Sequence, residues 1–88
     1  MDKFKLDIFK NNAQKPLLRS VTGDFNSNEE LFKFVRENVS NVFKYKSFAN
    51  FNYACDCAFA LSMLMVYSSL GNFAHHTGNG VIVELHRL

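Results

Sequence analysis

Two thiols one residue apart, Cys55 and Cys57, and two adjacent imidazoles, His75 and His76, are the soft donors whose spacing bears on chemistry in this chain. A structural zinc site needs convergent ligands, usually a C-x₂₋₄-C pair on a knuckle. Cys-x-Cys in or near a helix does the opposite, since positions i and i+2 diverge by about 200° around the axis. One thiol then turns inward and serves as a small apolar side chain. A thiol in such surroundings is a poor nucleophile, because burial raises its pKa. The chain contains no G-x-S-x-G, no glycine-rich phosphate loop and no H-E-x-x-H. The constellations that mark hydrolases, nucleotide-binding proteins and metalloproteases are therefore missing. Asp24, Glu29 and Glu30 read as helix-start acids favoured by the dipole. The expectation is a non-enzymatic protein without metal or cofactor. His75 and His76, as strand neighbours, should point to opposite faces.

A second set of residues suggests binding. Lys3 and Lys5 alternate along one side of the N-terminal segment with Phe9 among them, and Arg19 can join them from a neighbouring strand. Such a face can meet phosphates and stack on a base. The same lysines would equally protect a sheet edge from aggregation. Net charge is only +2, too small for the field that nucleic-acid binders usually carry. The charge is uneven, however. Lys3, Lys5, Lys10, Lys15 and Arg19 stand against Asp2 and Asp7 in the first twenty residues, five minus two, a local +3.

Hydrophobic residues make up 48% of the 88, with ten Phe, three Tyr and no Trp. This is the composition of an ordered domain with an aromatic-rich core. Ala58 to Leu70 runs without a charge, and a helix there has no wet side. It is too short to cross a bilayer, which takes about 20 apolar residues, and MDKFKLDIFK lacks the apolar run of a signal peptide. A cytoplasmic protein with reduced thiols is expected. Little chain remains to cover such a helix. Either the sheet and the first helix bury it, or a twin subunit or partner completes the core. Phe32, off the main apolar stripe of the first helix, and Tyr45 and Phe48, which crowd the connector, are the aromatic candidates for that contact.

The elements follow from periodicity. Phe4, Leu6 and Ile8 alternate with charged residues, a half-buried strand. Asn11 to Pro16 supplies a turn, and Leu17 to Phe25 returns as a second strand. Ser27-Asn28-Glu29-Glu30 matches the capping box. Leu31, Phe34, Val35, Val39, Val42 and Phe43 behind it form one helical stripe. After a connector at Lys44–Ser47, a second helix starts near Ser47 to Asn52 and stops at Gly71-Asn72. Asn79-Gly80 then joins a short strand at Phe73–His76 to Val81–Leu85. The order β-β-α-α-(β)-β predicts one α+β domain over residues 1–88. In it an antiparallel sheet of three or four strands packs on two helices, the second central and apolar.

The segment Asp24-Phe25-Asn26-Ser27-Asn28-Glu29-Glu30-Leu31-Phe32-Lys33-Phe34, following a hairpin, resembles the strand-to-helix junction of some phage anti-CRISPR proteins. These are small inhibitors of type I CRISPR surveillance complexes. The resemblance implies a compact protein-binding inhibitor that blocks a CRISPR effector complex sterically. Many such inhibitors are acidic DNA mimics, whereas this chain is mildly basic. The resemblance carries over no functional residue, and the binding candidates are those read from the residues themselves: Lys3, Lys5, Phe9, Lys10, Arg19, Phe32, Tyr45 and Phe48. Their expected partner is a protein or a second copy of the chain, and the alternative is a nucleic acid at the basic hairpin.

Overall fold

The structure, a computed structural model, describes residues 1–43 and 47–88. Four strands, β1 (Asp2–Lys10), β2 (Leu17–Phe25), β3 (Phe73–Gly78) and β4 (Val81–Arg87), form one antiparallel sheet in the order β2-β1-β4-β3. Helices α1 (Asn28–Val42) and α2 (Phe48–Val66) lie between the two hairpins in sequence. This is the α+β architecture that the sequence predicts, with the short third strand extended to Gly78.

Alternation in β1 sorts the sheet. Phe4, Leu6 and Ile8 have no solvent exposure, and Val83 and Leu85 of β4 lie beside them in the core. The helices supply Leu31, Val35 and Val39 from α1, and Ala54, Cys57, Ala58, Leu61 and Leu64 from α2. Fully burying a side chain of Leu, Val or Phe size contributes about 1.5–3 kcal/mol, so this single shared core holds the domain together. On β2 only Phe25 belongs to the buried core, and its ring meets Phe34 at 4.7 Å. A register shift between Ile8 and Phe9 breaks the alternation at the start of β2, leaving Leu17 and Leu18 both exposed.

Local chemistry fixes the ends of the elements. Asn12 Oδ1 accepts hydrogen bonds from the Gln14 and Lys15 backbone amides at 3.1 and 2.9 Å, which closes the first hairpin with Lys15 at φ 48°. The second hairpin turns through Asn79 and Gly80, at φ 52° and 82°. Two successive positive φ values make the type I′ turn that Asn-Gly favours. Gly78 beside it admits no side chain, since a Cβ there would stand 2.7 Å from the Tyr53 ring. Ser27 caps α1 by accepting from the Glu30 amide, while the Glu30 carboxylate accepts from the Asn26 amide. Ser47 caps α2 in the same way through Asn50.

One boundary differs from the sequence expectation. Helix α2 stops at Val66, not at Gly71-Asn72, because Tyr67 is extended and a 3₁₀ turn, Ser68–Leu70, follows. A β-branched valine, a tyrosine and two serines are weak helix formers, and serine hydroxyls favour turns. Arg87 meets the end of α2 by donating from Nη2 to the Leu64 carbonyl. There the unpaired carbonyls and the dipole favour a cation. Asn28 ties the two helices by donating to the Ser62 carbonyl at 2.9 Å.

Replacing Ser27 with alanine should lower stability by about 1 kcal/mol, the usual cost of a lost N-cap. Urea unfolding followed by circular dichroism measures this. An unchanged midpoint would show that the cap does not hold α1.

Candidate functional site

Two faces of the domain are left uncovered by its own elements among the described residues. The first is the open side of the sheet. Register places Ser20, Asp7, Glu84 and His75 in one row across the four strands, with Thr22, Lys5, His86 and Phe73 in the next. Asp7 is 7% exposed although it lies on this side. Its Oδ1 accepts from the Ser20 hydroxyl and its Oδ2 lies 3.4 Å from the Lys5 ammonium. Glu84 pairs with Lys15 at 3.2 Å, and the same ammonium stands 4.7 Å from the centre of the Phe9 ring. His86 packs against Phe73, with ring centres 4.9 Å apart.

Of the candidates on the basic hairpin, Lys3, Lys5 and Phe9 do share this open side, in the phase set by β1. Arg19 does not join them. Paired with Ile8, it lies on the helix side of the sheet and donates to Asn38 Oδ1 at 2.7 Å. Lys10 is exposed at the end of β1, again out of phase with Lys3 and Lys5. The continuous basic stripe expected from the sequence is therefore broken. Within it the Lys5 ammonium is already held by Asp7, and the neighbouring Lys15, outside the expected stripe, is held by Glu84.

The second face is the outer side of α2. The sequence reading leaves open whether the sheet and the first helix bury this helix or a partner completes its cover, and the domain itself covers one side. Phe48, Phe59 and Val66 are 81%, 64% and 55% exposed. They are separated by eleven and seven residues, close to three and two whole turns, so they share one line along the helix. Asp56 is the only charged residue of α2. Of the aromatic candidates, Phe48 belongs to this line. Phe32 is half-buried against the core, with the Arg36 guanidinium 5.8 Å from its ring centre. Tyr45 lies outside the described residues. Phe51 is exposed as well, at the border of a shallow groove lined by Arg36, Glu37, Ser40 and Asn41 of α1.

The thiols and adjacent histidines do not form a common site. Cys57 is buried while Cys55 is half-buried. His76 turns to the helices, its Nδ1 3.3 Å from the Tyr53 hydroxyl, whereas His75 lies on the open side beside Phe73. Burial pushes the Cys57 thiol up to about 12. Tyr53 is raised above its ordinary value by burial first and by the neighbouring Cys57 second. Both shifts favour the neutral form in the folded state. Their stabilising effect is complete below the unfolded values, about 8.5 for Cys and about 10 for Tyr, and is lost as pH rises toward the folded values. Stability should therefore fall above about pH 9, and Cys57→Ala should flatten that fall between about pH 9 and 10. In the native protein at pH 8, a thiol reagent should leave Cys57 unmodified until denaturant is added. Cys57 labelling at the rate of an unfolded thiol would contradict its burial.

The residues that sequence reasoning missed are Lys15, Ser20, Glu84 and His86 on the open face, and Phe59 on α2. Their signals lay in register and phase. Glu84 and His86 alternate with Val83 and Leu85 on the solvent side of β4, a strand whose start is dominated by β-branched residues. No helix of the described residues is long and apolar enough to cross a membrane. Compared with protein-family models, curated proteins and solved structures, the chain matches none.

Proposed function

We propose that this chain is a non-enzymatic protein-binding module whose contact is the outer face of α2. The observation that carries the reading is the line of Phe48, Phe59 and Val66 on a helix with one charged residue. Covering each of these side chains contributes about 1–2 kcal/mol, allowing for the part already buried. An exposed apolar line of this kind marks an interaction surface in soluble domains, and Phe is enriched at the cores of such surfaces. The groove at Phe51, rimmed by Arg36, Glu37, Ser40 and Asn41, supplies polar groups beside it. Action is steric: a small preorganised face covers a working site on a larger assembly. The resemblance of residues 24–34 to small anti-CRISPR proteins nominates a CRISPR effector complex as the assembly. The nucleic-acid alternative is weaker, because Lys5 and Lys15 are neutralised by Asp7 and Glu84 and Arg19 faces away from Lys3 and Lys5.

Affinity capture from the native host, with the retained proteins identified, separates the two readings. Phe59→Asp should abolish retention of the partner while leaving the melting temperature within about 2 °C, since the side chain is mostly solvated. A Lys3→Ala, Lys5→Ala double variant should retain it. Retention that survives Phe59→Asp but is lost with the lysines or after nuclease treatment would overturn the proposal in favour of nucleic acid.

A further inference from the structure

Three metal-ligating side chains that the protein-binding reading does not use converge on the open face of the sheet. Asp7 and Glu84 are direct cross-strand partners, and His86 follows two residues after Glu84, on the same side. His86 Nε2 lies 3.3 Å from Glu84 Oε1 and 3.9 Å from Asp7 Oδ2. All three ligand atoms fall within 4.8 Å of one another.

Two carboxylates face each other across the central strands at this point of the sheet. Like charges directly opposite each other in a sheet destabilise the pairing, and the near-burial of Asp7 limits screening by solvent. The counter-charges come from the rim. Lys5 and Lys15 reach in on side chains that are 44% and 47% exposed. Glu84 divides its oxygens, Oε2 to Lys15 and Oε1 toward His86. Asp7 gives Oδ1 to Ser20, and its Oδ2 stands between Lys5 and His86. The nitrogen facing the two carboxylates is an imidazole Nε2, which presents its lone pair to a metal when the ring hydrogen sits on Nδ1, as histidine ligands commonly do.

We propose that Asp7, Glu84 and His86 form a binding site for a divalent transition-metal cation, with Zn²⁺ the best fit. The ion is held by one imidazole nitrogen and two carboxylate oxygens, and its remaining position is open to solvent. Bonds of about 2.0–2.2 Å to a tetrahedral centre place ligand atoms roughly 3.3–3.6 Å apart. The His86–Glu84 edge already has that length, and the Asp7–His86 edge exceeds it by a few tenths of an ångström. Torsional adjustment of the Glu84 side chain closes the third. Ser20 on Asp7 and the Phe73 ring against His86 hold two of the ligands in orientation, as outer groups do in metal sites. The ligands stand on the two central strands, β1 and β4, the most constrained part of the sheet. This site is independent of the α2 face.

Zinc titration of the full chain, stripped with a chelator and followed by calorimetry and by amide chemical shifts, tests the proposal. One equivalent should bind, with the largest shifts at residues 7, 84 and 86. Glu84→Gln and His86→Ala should each weaken binding by about tenfold or more. Cys55→Ser should leave it unchanged, and Lys15→Ala should tighten it by removing the ammonium that competes for Glu84. If His86→Ala does not fold, the shift map of the unaltered chain and Glu84→Gln decide. No binding at millimolar zinc, shifts centred elsewhere, or undiminished affinity in the folded variants would overturn the assignment.

Discussion

Strands β1 and β4 pair through seven residues, from Phe4 opposite Arg87 to Lys10 opposite Val81. This joins the two ends of the sequence at the centre of the sheet. Both hairpins take their positions from it, and it closes the chain around the helices. Because side chains alternate with a period of two, the same register does two things. It sets Leu6 beside Leu85 and Ile8 beside Val83 in the core, and it sets Asp7 opposite Glu84 on the open face. A slip of one residue would carry the whole apolar set of β1 to solvent. Core burial of Phe4, Leu6 and Ile8 therefore outweighs the repulsion between the two carboxylates. The local response is visible in Lys5, Lys15, Ser20 and His86, which gather around them.

Helix α2 is shaped by the same shortage of material that limits any domain of this size. One side, with Ala54, Cys57, Ala58, Leu61 and Leu64, is closed by the sheet and α1. The other side keeps phenylalanines and a valine in water. The exposed line lies on a helix anchored at both ends, by Ser47 at the start and by Arg87 at the Leu64 carbonyl. A partner would therefore meet a surface that is already ordered and would lose little conformational freedom in forming the contact.

Much of this was legible in the residues themselves. The Ser27 capping box, the Asn79-Gly80 turn and the alternation of β1 each have a local cause, and each appears where the sequence puts it. What could not be read depended on phase between distant elements. Arg19 is one residue type among several in an ambiguous strand, and only its pairing with Ile8 sends it to Asn38 on the helix side. Lys15 reads as a turn residue until the Asn12 turn aims it across β1 at Glu84. Phe59 sits inside a uniformly apolar run, where periodicity carries no information about which side is covered. The early stop of α2 at Val66 reflects weak propensities at Tyr67 to Ser69 that the glycine downstream obscured.

The central claim is the register that couples core and open face, and cross-strand proton contacts in the NMR spectrum measure it directly. The account predicts backbone contacts linking Leu6 with Leu85 and Asp7 with Glu84, together with slow amide exchange along β1 and β4. A ladder of Hα–Hα and HN–HN contacts displaced throughout by one residue, or rapid exchange throughout β4, would contradict it.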